Sequence, residues 1–131
     1  MYKIEQKSYG YYLTFSGFIK QEEMQEWYEE SLELLEKSPE NFGLFADLRE
    51  MKPLPAESQR IMEEGQMNYK RKGMERSVVV LSSAISTMQF KRIAKTTGID
   101  EWERYIDASS NGNWEAIGIS WIKDGIDPGV K

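Results

Sequence analysis

The sequence predicts a single α/β domain with a mixed, mainly parallel sheet of about five strands and four helices. A short apolar segment, residues 42–48, is followed by a helix-patterned segment and then by a second apolar run, residues 77–82. A strand, a helix and a strand in this order are typical of a parallel βαβ unit. The chain has 131 residues and shows no linker, internal repeat or low-complexity tract. Residues 1–131 are therefore treated as one domain.

The first three elements follow from two different periodicities. Apolar and polar residues alternate from Tyr2 to Phe15 with a break at residues 8–10, which predicts two short strands joined by a tight connection and ended by Gly17. Residues 21–37 instead place apolar side chains at helical spacing opposite a row of glutamates, which predicts an amphipathic helix. The residues of that apolar stripe are Met24, Trp27, Tyr28, Ser31, Leu34 and Leu35.

The middle of the chain is predicted as a buried strand over residues 42–48, a loop with two prolines, and a helix over residues 56–72. Pro55 suits a helix start, because the N–H that proline lacks has no partner in the first turn. The cations of residues 70–72 complement the helix dipole in the last turn, and Gly73 suits a left-handed cap. The residues predicted to be buried on this helix are Ile61, Met62, Gly65 and Tyr69.

Four further elements complete the order β-β-α-β-α-β-α-β-α. A strand over residues 77–82 leads to a helix over residues 86–97 that Gly98 caps, then to a strand over residues 102–107 and a helix over residues 113–123. Asn113 is predicted as the N-cap of the last helix. The residues predicted to be buried on the third helix are Met88, Phe90, Ile93 and Ala94, and those sharing one face of the fourth are Ala116, Ile117, Ser120 and Trp121.

Composition excludes several classes of function. The net charge of −5 argues against nucleic-acid binding, which normally needs a basic surface. Without cysteine or histidine, the chain has no disulfide, no thiolate metal site and neither the commonest general base nor the commonest metal ligand. We therefore expect no enzymatic activity, no metal and no cofactor. No apolar run reaches the length of a membrane span and no signal-peptide pattern is seen, so a cytoplasmic location is expected.

Several segments together resemble a known family. They are residues 17–19 before a glutamate-rich helix, residues 44–48 and 78–81 as central strands, and residues 114–117 with Trp121 and Ile122 in the closing helix. In this order they resemble the STAS domain of bacterial anti-sigma-factor antagonists, and more closely the stand-alone STAS/SEC14-type (SpoIIAA-like) domains. The resemblance implies a sheet flanked by helices and a regulatory module that docks a protein partner.

The resemblance also implies a phosphorylation site at the start of the second long helix. In the antagonist branch, a serine there is phosphorylated and switches binding to an anti-sigma kinase. In this chain Glu57 stands at the expected position and Ser58 follows it by one residue. Ser58 is therefore the candidate for phosphorylation, and a phosphate there would change the charge near a helix N-terminus. The favoured alternative is that Ser58 is an ordinary small polar residue of a first helical turn.

A second candidate site consists of polar residues at the predicted carboxyl ends of strands. It comprises Asp47, Arg49, Ser82, Ser83 and Asp107. In an open parallel sheet these ends lie at one edge, so the side chains are expected to converge on a patch that could bind a hydroxylated metabolite or a hard cation. The favoured alternative is structural, with Asp47 accepting hydrogen bonds from loop amides and the serines capping a helix.

Two functions from different classes remain open on the sequence. The first is a non-enzymatic interaction module that docks a protein partner or a second copy through residues 49–57 and the helix that begins near Ala56. The alternative is a carrier of a small apolar ligand or lipid, suggested by four tryptophans and seven methionines. A carrier would contain an enclosed, mostly apolar pocket, whereas a partner module would be closely packed with an exposed apolar patch beside the Ala56 helix.

Overall fold

The computed structural model describes residues 1–129 and contains nine elements in the predicted order. They are β1 Tyr2–Lys7, β2 Gly10–Gly17, α1 Gln21–Glu36, β3 Phe42–Met51, α2 Ala56–Arg71, β4 Met74–Leu81, α3 Ala84–Thr97, β5 Glu103–Asp107 and α4 Trp114–Asp124. The prediction of an α/β domain with five strands and four helices is confirmed.

The strands form one sheet in the order β1-β2-β3-β4-β5, with β1 antiparallel to β2 and the other neighbours parallel. The two central apolar runs of the sequence are adjacent parallel strands, as predicted. In their register Phe45 lies beside Val78 and Leu48 beside Leu81. β3 and β4 are interior strands, which explains why their sequences are continuously apolar and not alternating.

The helices are distributed unequally over the two faces of the sheet. From β2 to β5 the sheet grows in one direction, and each strand lies next to the strand before it in the chain. Because the connections between these parallel strands are right-handed crossovers, α1, α2 and α3 lie on the same face of the sheet. α4 follows the last strand and packs on the opposite face, mainly against β3 and β4. The sheet therefore has two hydrophobic cores of different size.

The larger core lies beneath α1, α2 and α3, and aromatic side chains order its centre. The rings of Trp27 and Tyr69 stack with centroids 6.0 Å apart, and the Ser31 and Tyr69 hydroxyls are hydrogen-bonded at 2.7 Å. Gly65 permits this close approach of α1 and α2, because a Cβ there would lie 2.2 Å from the Trp27 ring. Any side chain at Gly65 would force the two helices apart.

The smaller core lies beneath α4 and uses a second glycine contact. A Cβ on Gly118 would lie 2.6 Å from the ring of Phe45, so the helix packs directly on the sheet. The indole N–H of Trp121 donates to the carbonyl of Ser77 at 2.9 Å and fixes α4 along β4. The buried residues of this core are Phe45, Val78, Val80, Ile106, Trp121 and Ile122.

The prediction that Met88 is buried is wrong, whereas the predicted position of the α4 N-cap is confirmed. Met88 is 71% exposed, because α3 buries Phe90 and residues two apart on a helix point to nearly opposite sides. Asn113 is the N-cap residue of α4, as predicted, although its side chain makes no cap hydrogen bond. Of the four tryptophans, Trp27 and Trp121 are buried, Trp114 is half-buried and Trp102 is 50% exposed.

Candidate functional site

A groove runs beside β5, and the topology explains its position. β5 pairs only with β4 among the described residues, so its other side is the edge of the sheet. The helix before β5 packs on one face of the sheet and the helix after it packs on the other face. Adjacent connections that diverge in this way leave a crevice near the carboxyl end of a strand, where open α/β sheets place ligands.

The groove has a volume of about 980 Å³ and is partly open to solvent. Hydroxyl and amide side chains gather where β4 and β5 end, and apolar side chains line the walls below them. Its polar residues are Ser82, Ser83, Thr87, Lys91, Asp107, Ser110, Asn111, Asn113 and Ser120. Its apolar residues are Leu81, Ala84, Tyr105, Ile106, Ala116, Ile117, Ile126 and Pro128.

The structure brings three of the predicted site residues together in this groove. Ser82, Ser83 and Asp107 all line it, at the carboxyl ends of β4 and β5. Ser83 is also the N-cap of α3, since its Oγ accepts from the N–H of Ser86 at 3.3 Å. The carboxylate of Asp107 accepts from the hydroxyl and the N–H of Ser109, and these bonds lower the pKa of Asp107.

Asp47 and Arg49 lie elsewhere, so the predicted five-residue patch is divided. β3 continues to Met51, three residues beyond the predicted end of the strand, which leaves both side chains within the strand on the α4 face. Arg49 donates two side-chain hydrogen bonds to Asp47, at 2.8 and 2.9 Å, and its guanidinium stacks 3.9 Å from the centroid of the Trp114 ring. The Tyr12 hydroxyl donates to the same carboxylate at 2.9 Å.

This second cluster is a structural one. Burial alone would raise the pKa of Asp47, but the hydrogen bonds from Arg49 and Tyr12 outweigh burial and lower it. The carboxylate also accepts from the backbone N–H of Arg49 at 3.3 Å, as the structural alternative for Asp47 predicted. With its acceptors occupied and Trp114 held above Arg49, the cluster anchors the start of α4 to the sheet.

The candidate phosphorylation site is buried. Ser58 is 0% exposed, and its hydroxyl donates to the carbonyl of Ile19 at 3.1 Å. A kinase needs its acceptor hydroxyl in solvent, so Ser58 has no accessible acceptor in this fold. The neighbouring Glu57 is exposed and is the only predicted site residue of α2 that faces solvent.

Exposed apolar side chains lie on two segments that hydrogen bonds join to the start of α2. Phe18, Ile85 and Met88 are 55%, 61% and 71% exposed. The bond between Ser58 and Ile19 holds the segment that carries Phe18 against the first turn of α2. On the other side, the Gln89 side chain accepts from the N–H of Leu54 at 2.9 Å and holds the α3 turn that carries Met88 against the loop before α2. We call Phe18, Ile85 and Met88 the carboxyl-edge patch.

Two polar residues that sequence reasoning missed are Lys91 and Glu103. Lys91 lines the groove, with its Nζ 5.5 Å from the centroid of the Tyr105 ring. It belongs to no motif, and only the three-dimensional position of α3 places it there. Glu103 lies in the strand next to the groove but points into the larger core, where it is 2% exposed. The signal that could have pointed to Glu103 was the presence of an acid within a short, otherwise buried strand.

The interior of the larger core leaves very little space. A cavity of about 20 Å³ lies between α1, α2 and the sheet, and Gln66 and Glu103 contribute polar atoms to its lining. That is room for about one water molecule. Of these two spaces, the groove beside β5 is the one large enough to admit a ligand.

Within residues 1–129, no group of three or more acidic, histidine or cysteine side chains is placed to hold a metal ion. The same residues include no helix that is long and apolar enough to span a membrane. No family model matches the chain, and no curated protein matches its sequence.

Proposed function

We propose that this protein is a non-enzymatic interaction module of STAS/SEC14 type that docks a protein partner through the surface around the start of α2. The observation that carries the proposal is the carboxyl-edge patch, in which three large apolar side chains are each more than half exposed on segments hydrogen-bonded to the start of α2. Large apolar side chains that a small domain leaves exposed on neighbouring segments favour an interaction site there.

The arrangement of the patch supports docking. Its residues are presented by α3 and by the segment between β2 and α1, both of which hydrogen bonds fix against the start of α2. A partner would therefore meet a surface that is already ordered, which lowers the entropic cost of association. The proposed kinship with STAS domains is based on the order of the elements and on the sequence segments described above.

The absence of histidine and cysteine supports a role without catalysis. A hydrolase would need an activated nucleophile, and these two residue types supply most of the bases and thiolates that provide one. The clustered carboxylate of Asp47 is engaged by Arg49 and Tyr12 and does not serve as a free base.

The proposal is tested by quantitative capture from host lysate with matched variants. Wild type is compared with the double variant Phe18→Asp, Met88→Asp and with the control Met67→Asp, whose side chain is 40% exposed near the far end of α2. We expect the double variant to lose at least about tenfold in captured partner, which corresponds to about 1.4 kcal/mol of binding free energy, while the control keeps wild-type capture.

Equal capture by all three proteins, or equal loss in the control, would contradict the assignment of the surface. Circular dichroism of each variant establishes that the fold is intact before the comparison is made. Sedimentation of the purified wild type identifies a second copy as the partner if the protein self-associates and the double variant does not.

A further inference from the structure

The groove beside β5 has the dimensions and lining of a small-molecule site. Its volume of about 980 Å³ lies within the range of about 300–1,000 Å³ found for ligand pockets. Such sites combine mainly apolar walls with a few convergent polar groups, and this groove has both. Its residues differ from those of the carboxyl-edge patch, so an inference about the groove does not depend on the proposed partner.

One apolar wall of the groove lies on the α4 side of β5. Ile106 of β5 and Ile117 of α4 form one wall, and Ile126 and Pro128 of the segment after α4 continue it. Ile126 is 61% exposed, so this wall presents apolar surface to solvent. Removing that surface from water would favour binding of a molecule with an apolar body.

The opposite wall, from α3, carries a cation. Lys91 is half-buried, and none of the carboxylates of residues 1–129 lies within ion-pair distance of its Nζ. α3 contains three cations and no acid, although the whole chain has a net charge of −5. A half-buried ammonium without a carboxylate partner favours an anion in the adjacent space.

The negative charge in the groove lies at one end. Asp107 stands where β5 ends, and the hydrogen bonds that it accepts from Ser109 lower the pKa of its carboxyl. Lys91 lies seven residues into α3, about 10 Å along the helix from its start at Ala84. The groove thus separates an acidic, hydroxyl-rich end from a cationic and apolar interior.

We infer that this groove binds a small amphipathic anion, with its anionic head at Lys91 and its apolar body against Ile106, Ile117 and Ile126. The head group can be a carboxylate, phosphate or sulfonate, since each accepts hydrogen bonds from an ammonium. The apolar body is what distinguishes this ligand from a simple anion. The cation at Lys91 and the partly open groove distinguish this site from the enclosed apolar pocket that a neutral lipid would need.

The inference is tested with three probes on the full chain: dodecanoate, dodecanol and acetate. Native mass spectrometry gives the stoichiometry and titration calorimetry gives the affinity. Dodecanoate is expected to bind at one per chain, with dodecanol and acetate each at least about tenfold weaker, because each lacks one of the two recognised features. Dodecyl phosphate and dodecyl sulfonate then separate the three head groups.

Matched variants locate the site. Lys91→Gln should weaken dodecanoate by about tenfold and leave dodecanol unchanged, while Lys95→Gln, one turn further on α3 and exposed, should change neither. Ala116→Trp should fill the groove from the exposed surface of α4 and abolish binding, while Thr96→Trp, exposed on α3 outside the groove, should not.

The following results would contradict the inference in part or as a whole. Equal affinity for dodecanoate and dodecanol, or no effect of Lys91→Gln, excludes the anionic head. No binding of dodecanoate, or binding that Ala116→Trp leaves intact, excludes the groove. Circular dichroism confirms the fold of each variant, and loss of partner capture by the carboxyl-edge variants is measured separately.

Discussion

Glu103 should make the stability of the fold depend on pH near neutrality. The side chain is fully enclosed, and burial raises the pKa of its carboxyl from 4.5 to about 7. Hydrogen bonds oppose this increase, since the Ser77 hydroxyl donates to Oε1 at 2.9 Å and the Tyr105 hydroxyl donates to Oε2 at 2.6 Å. Asp100 raises the pKa further by charge repulsion, and no cation forms an ion pair with Glu103 within residues 1–129.

The sign of the effect follows from proton binding. Between pH 4.5 and about 7 the folded protein keeps a proton on Glu103 that the unfolded chain releases, so raising the pH favours unfolding. The contribution is complete below the unfolded pKa and is lost as the pH rises through the folded pKa. At about 1.4 kcal/mol per pKa unit, the shift corresponds to a loss of about 3 kcal/mol.

Urea denaturation followed by tryptophan fluorescence measures this loss, at constant ionic strength between pH 4.5 and pH 8. The comparison is between wild type and Glu103→Gln, because glutamine keeps the size and neutrality of the protonated acid. We expect the stability of the variant relative to wild type to increase by about 3 kcal/mol from pH 4.5 to pH 8. Carboxylates that do not interact with Glu103 contribute equally to both proteins and cancel in the difference.

Glu101→Gln is the matched control, since Glu101 is exposed two residues earlier and its removal should leave the pH dependence of wild type unchanged. Parallel stability curves for wild type and Glu103→Gln would refute the reasoning. They would mean that Glu103 is already ionised in the fold, with its hydrogen bonds outweighing desolvation.

Two further predictions concern single residues. Gly73→Ala should destabilise the fold by at least about 1 kcal/mol in urea denaturation, because φ is +118° and a Cβ would lie 1.4 Å from the carbonyl oxygen of Glu40. Gly112→Ala, which meets no atom within 4 Å, should cost much less, and equal costs would contradict the explanation. Ser58→Ala should cost about 1 kcal/mol by leaving the Ile19 carbonyl without its hydrogen bond. After incubation with host lysate and ATP, wild type and Ser58→Ala should incorporate equal amounts of phosphate. Lower phosphate incorporation by the variant would show that a kinase does modify Ser58.

The fold was largely predictable because its strongest signals are local. Residues 42–48 and 77–82 are continuously apolar, which indicates strands buried on both faces, and the helices between them have clear periodicity. The boundaries were less certain where tertiary pairing decides them. β3 continues through Arg49 to Met51 because β2 pairs with it as far as Gly17, and no local pattern signals that extension.

The candidate site was only partly predictable. Ser82, Ser83 and Asp107 were placed correctly at strand ends because parallel strands end at one edge. The groove itself depends on α3 and α4 lying on opposite faces of the sheet, which the order of elements does not specify. For the same reason the position of Lys91 in the groove could not be read from the residues around it.

The order of the strands in the sheet is also their order along the chain. As the polypeptide emerges from the ribosome, every strand after the first therefore finds its pairing partner already synthesised, and no later segment has to insert between two earlier ones. Folding can advance with translation from the β1–β2 hairpin, and β5 with α4 closes the domain last. A nascent chain stalled before residue 98 would hold four of the five strands in uninterrupted succession, with only the final edge missing.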